Sequence, residues 1–147
     1  MKGLIFMSTT ISSKTKSITL GGSGFKKLRS KVAELAGEEI KKHYDELDQF
    51  LCISIRHRKT FFEDYDKRTE ELVEKYKDME TIFDFLYAPD CNATFSFEEC
   101  LCIWELIKDY DDTISYGYPG RKDCAKFADF KEIVKECIDT GCELQWS

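Results

Sequence analysis

The chain has 147 residues, 42% hydrophobic and 34% charged, which is enough apolar content for a packed core and too much charge for a membrane protein. A formal charge of -6 and a pI of about 5.1 set an average surface field that repels phosphate backbones, and no long Lys/Arg run relieves it, so nucleic acid is excluded as a first partner class. Its 7 cysteines follow neither the dense framework of a secreted disulfide module nor a paired CxxC zinc pattern; reduced thiols in a cytoplasmic chain, without metal or cofactor, are expected.

Residues 1–16 are rich in Ser, Thr and Lys with little periodicity and read as a flexible leader, leaving 17–147 as a single globular domain. Ser17-Ile18-Thr19-Leu20 is a short β-prone run halted by Gly21-Gly22-Ser23-Gly24. Phe25, Leu28, Val32 and Leu35 then recur at helical spacing, which predicts a strand, a glycine turn and a helix ending near Gly37.

From Glu38 to Leu86 neither Gly nor Pro occurs, and apolar residues from Ile40 to Leu86 recur mostly every three or four positions, so two or three helices folded back on one another are expected. Thr60-Phe-Phe-Glu63 and Thr81-Ile-Phe-Asp84 carry the side chains of a capping box or its relative and mark candidate helix starts. Ala88 to Asn92 reads as a loop. Ser96-Phe-Glu-Glu99 is a further capping box, opening a helix with Cys100, Ile103, Trp104 and Ile107 on its inner face.

That helix should stop around Asp109 to Asp112, and Ile114 to Gly120 reads as a short extended piece ending in a turn. The last helix is expected to be capped by Asp129 and Glu132, to bury Phe130, Ile133, Val134, Cys137 and Ile138, and to end at Gly141. Cys142 to Trp146 alternates apolar and polar residues, the period of a half-buried strand, with Ile18–Leu20 or Ile114–Tyr118 as candidate partners. The expected fold class is α+β and mostly helical: a body of about five helices with a small two- or three-stranded sheet formed by the N-terminal and C-terminal strands.

Two groups of residues suggest binding. Gly22, Ser23 and Gly24 lead into a helix with Lys26, and backbone amides at a helix N-terminus hold anions. Arg56, His57 and Arg58 form the densest basic cluster and belong to the same anionic-ligand or nucleotide reading, although neither a Walker loop nor a dinucleotide fingerprint is present. A charged helix face, or a helix end favoured by the macrodipole, is the plainer account of that cluster.

The other group mixes acids with rings: Phe61-Phe62-Glu63-Asp64-Tyr65-Asp66, Asp84-Phe85-Leu86-Tyr87 and Asp109-Tyr110-Asp111-Asp112. Aromatic anchors among carboxylates suit a basic protein surface, with Asp64, Asp66, Asp109, Tyr110, Asp111 and Asp112 as the candidate contacts. No sequence pattern selects a catalytic pair. The expected function is therefore non-enzymatic: a small acidic interaction protein, of the kind exemplified by immunity proteins and phage-encoded inhibitors, that occludes a basic site on a toxin or host enzyme.

Overall fold

The computed structural model describes residues 8–89, 91–110, 113–117 and 121–147. Along Ser8–Ser12 the odd positions Thr9 and Ile11 turn inward while Ser8 is exposed, and this alternation makes strand β1. It pairs with β2 (Ser17–Gly21) in an antiparallel hairpin whose register sets Thr10 opposite Thr19, their hydroxyls 2.9 Å apart. The expected leader over 1–16 is thus corrected for residues 8–12, which form a sheet strand with Ile11 fully buried. Serine and threonine here serve β-propensity and the period-two pattern rather than flexibility.

Helix α1 (Gly22–Ala36) follows at once, burying Phe25, Leu28, Arg29 and Val32, and Gly37 separates it from α2 (Glu38–Asp45). Two 3₁₀ segments, Glu46–Cys52 and Ile55–His57, lead into α3 (Arg58–Lys75). A third, Lys77–Met79, precedes α4 (Glu80–Tyr87). Three helices therefore fill the glycine-free stretch. Thr60 and Thr81 lie inside α3 and α4 rather than capping them, because those helices start two and one residues earlier.

Strand β3 (Ala93–Phe95) precedes α5 (Phe97–Ile107), which Ser96 and Glu99 cap reciprocally: the Glu99 amide donates to Ser96 Oγ at 3.1 Å and the Ser96 amide to Glu99 Oε1 at 2.9 Å. A two-stranded ladder of β4 (Ser115–Tyr116) and β5 (Ala125–Lys126) comes next. It leads into α6 (Phe127–Thr140), where Asp129 is the third helical residue, accepting the Lys126 amide, rather than the cap. Gly141, at φ 70°, takes the left-handed conformation that ends α6.

Strand β6 (Leu144–Trp146) is inserted between β1 and β3, giving the antiparallel order β2-β1-β6-β3. The small sheet that joins the N-terminal and C-terminal strands thus has four strands. Its C-terminal member pairs with β1 and β3, not with 18–20 or 114–118. The core lies between this sheet and α1, α4, α5 and α6, centred on Trp146, Phe85, Phe127 and Phe130. Trp146 packs edge-on against Phe25 (5.1 Å) and Phe85 (5.5 Å) and donates its indole N–H to the Pro89 carbonyl at 2.8 Å.

Two further expectations are corrected. Cys52, which like Cys100 and Cys137 holds an apolar position in a helix-like segment and would be expected in the core, is exposed, whereas Cys100 and Cys137 are fully buried. Trp104 is only partly buried, with the ammonium groups of Lys131 and Lys135 at 5.8 and 6.0 Å from its ring.

Candidate functional site: an acidic aromatic groove

Phe62, Tyr65, Thr69 and Val73 follow at steps of three or four along α3 and, with Asp66 beside Tyr65, share one face of it. That face and α4 (Phe83, Asp84, Tyr87) form two walls of an open groove of about 750 Å³, which β3 (Ala93, Thr94, Phe95) and Glu99 of α5 complete. Five aromatic side chains border it, Tyr65, Phe83 and Phe95 buried beneath its floor and Phe62 and Tyr87 half-buried at its surface. So do the carboxylates of Asp66, Asp84 and Glu99, and among the described residues no Lys, Arg or His lines it.

The groove floor is fixed by a hydrogen-bonded relay. Thr69 Oγ1 donates to the Tyr65 carbonyl (2.9 Å) and has one proton, so its 2.6 Å contact with His43 is accepted from a protonated Nε2. Burial, reinforced by Arg68, lowers the His43 pKa and keeps that ring neutral. His43 stacks on Tyr65 with centroids 4.0 Å apart and an interplanar angle of 9°.

Tyr65 in turn donates its hydroxyl to the His43 carbonyl (2.8 Å) and so accepts the 2.8 Å hydrogen bond from Tyr87. Burial pushes the Tyr87 hydroxyl up to about 12, so both phenols stay protonated at neutral pH.

Among the described residues no ion pair neutralises the groove carboxylates, although Glu99 accepts the Ser96 amide. Asp84 is held above the usual carboxylate range, first because the groove walls strip water from it and then because Glu80 and Glu99 repel its charge. A cation placed here would meet three acids over a ring-lined floor. Nothing in the lining forms a nucleophile and base pair, and among the described residues no group of three His, Cys, Asp or Glu is arranged to hold a metal ion.

Of the predicted contacts, Asp66 stands in this groove. Asp64 is turned into an ion pair with Arg68 at 3.0 Å, and Arg68 also binds Glu46 at 2.8 Å. Asp109 is exposed just beyond the end of α5, while Tyr110 packs edge-on against Phe127 at 4.9 Å and is therefore no free anchor. Asp111 and Asp112 lie outside the described residues. Thr94, Phe95 and Glu99 lie outside the acid–aromatic runs singled out in the sequence and join the groove through the fold.

The anionic-ligand residues are not brought together. Gly22, Ser23 and Gly24 form the first turn of α1, and the loop before β5 closes over it: the Gly21 amide donates to the Asp123 carbonyl at 3.1 Å. A Cβ on Gly21 would stand 2.8 Å from Asp123 Oδ2, so a carboxylate of the chain itself lies beside this helix start. Lys26 pairs with Asp48. Arg56, His57 and Arg58 sit at the N-terminal end of α3, where the macrodipole disfavours cations, contrary to the helix-end account of the cluster. Arg58 is instead held by the Ile53 carbonyl (3.1 Å) and the Phe50 ring (4.4 Å). Among the described residues no hydrogen bond or ion pair joins the glycine turn to the Arg56–Arg58 cluster.

No helix of the described residues is long and apolar enough to cross a membrane. No protein family, curated protein or solved structure matches the chain.

Proposed function

We propose that this protein is a non-enzymatic interaction module whose groove between α3, α4 and β3 receives and covers a basic site on a partner protein, as an immunity protein or a phage-encoded inhibitor does. One observation carries the reading: the groove sets the half-buried rings of Phe62 and Tyr87 beside Asp66, Asp84 and Glu99, and no Lys, Arg or His is among its described lining residues. Aromatic surface supplies contact area at low entropic cost, and carboxylates outside any ion pair steer and select a positive partner. The net charge of -6 adds long-range attraction of the same sign.

The test compares partner capture by the wild type with that by Asp66→Asn/Asp84→Asn/Glu99→Gln, in which the glutamine amide oxygen can still accept the Ser96 amide and keep the cap of α5. A basic protein retained by the wild type at low salt, released at high salt and not retained by the triple variant is the expected result. Identical capture by both proteins would remove the groove from the function.

A further inference from the structure

The groove has one wall that is a sheet edge. Among the described residues no strand lies beyond β3 in the order β2-β1-β6-β3. The direction of its backbone groups follows from the ladder on the far side of β6. Thr10 and Ser147 exchange both hydrogen bonds, at 2.9 and 3.1 Å, so Ser147 and, two residues back, Gln145 face β1. Leu144 and Trp146 therefore face β3 and bond Phe95 and Ala93. Thr94 lies opposite Gln145 in the other class of pair, and its N–H and C=O point outward into the groove.

An open edge with outward donor and acceptor is a template for another strand. Most folds blunt such an edge with lysine or proline, whereas this one is flanked by Asp84 and Glu99, charges that attract a cationic chain rather than repel it. Resting on the groove reading above, we propose that the occupant is an extended, lysine- or arginine-bearing segment of the partner, added as a strand to β3. It closes a two-hydrogen-bond ring with Thr94 and directs alternate cationic side chains at Asp84 and Glu99. A helix or a folded basic knob would leave the Thr94 groups without a partner, because its own backbone is already bonded.

The experiment uses the full chain and titrates it, by fluorescence anisotropy at low salt, with a short capped peptide of alternating valine and lysine. Two isomers of that peptide are compared, one N-methylated at every valine amide and the other at every lysine amide, so that each blocks a different edge. One isomer should bind about tenfold more weakly than the parent and the other within about twofold, the size expected for losing a backbone hydrogen-bonded ring. Thr94→Pro should weaken the parent peptide by a similar factor with an unchanged melting temperature, since an outward edge N–H is a position where proline is tolerated.

Equal binding of both isomers and of Thr94→Pro would overturn strand addition and leave the cationic groove standing. Affinity for the valine–lysine peptide no greater than for a valine–glutamate one would overturn both readings.

Discussion

The guanidinium of Arg29 holds the carbonyl oxygen of Phe85 through two nitrogens, Nε at 3.1 Å and Nη2 at 3.0 Å, and Nη2 also reaches the carbonyl of Ala88. Phe85 belongs to the last turn of α4 and Ala88 is the extended residue just after it, so neither carbonyl has an amide partner within the helix. Its central carbon also lies against two aromatic rings that pack on each other, so that the guanidinium is 4.8 Å from the centre of Phe25 and 5.2 Å from that of Trp146. A buried cation from α1 thus acts as the C-terminal cap of the helix that carries Asp84 and Tyr87.

Arg29→Met should destabilise the protein by about 3 kcal/mol in urea denaturation, because buried carbonyls lose their donors. Arg29→Lys should recover less than half of that, since one ammonium cannot reproduce the planar fork. Wild-type stability in Arg29→Met would show that α4 needs no such cap.

Glu136 gives a pH dependence with a definite sign. Its carboxylate accepts from Ser13 Oγ at 2.5 Å, from the Thr15 amide at 2.8 Å and from Thr15 Oγ1 at 2.5 Å, tying the β1–β2 turn to α6. The Ser13 and Thr15 hydrogen bonds draw its pKa from 4.5 down to about 2. A depressed carboxyl pKa adds stability above the unfolded value and loses it as pH falls through the folded one. The stability gap between wild type and Glu136→Gln should therefore be full above pH 4.5 and close towards pH 2. Thermal melts across that range would read it, and a constant gap would dissociate Glu136 from the hairpin.

Asp84 has the opposite sign. Its raised pKa means that folding disfavours the ionised form, so stability attributable to this group falls as pH rises through its titration. Asp84→Asn should melt no lower than wild type at neutral pH while binding a basic partner more weakly. The same titration of Asp84, which shares the groove lining with Asp66 and Glu99 and feels the charge of Glu80, should weaken that binding as pH falls into the carboxylate range. A variant that both melts lower and binds normally would contradict each half.

The two tryptophans separate core from surface. Trp146 is 1% exposed at the centre of the aromatic cluster, so Trp146→Ala should cost about 4 kcal/mol. Trp104→Ala should cost about 1 kcal/mol, because that ring is only partly covered and its lysine contacts are on the outside. Calorimetry on both variants would decide the ranking.

Local chemistry made part of this legible in advance. The Ser96–Glu99 box, the left-handed Gly141 and the alternation ending at Trp146 each specify geometry within a few residues, and each appears as read. The hairpin strand at Ser8–Ser12 was hidden because serine and threonine signal looseness by composition, while only the inward Thr9 and Ile11 disclose a strand. Thr60 and Thr81 misled because a capping pattern has no force where the backbone is already helical. The acid–aromatic runs at 61–66 and 84–87 pointed toward the groove, yet Tyr65 and Phe85 turned inward and left the carboxylates outside. Glu99 and Thr94 meet those runs only through tertiary packing, which no short motif encodes.

The position of β6 between β1 and β3 has a consequence for synthesis on the ribosome. Residues 8–12 and 93–95 emerge early, but nothing joins them edge to edge until 144–146 follow. Until then the nascent chain carries two unmatched strand borders beside an incomplete aromatic centre. The emergence of residues 144–146 therefore decides whether the sheet closes on itself or recruits a stray strand from another molecule.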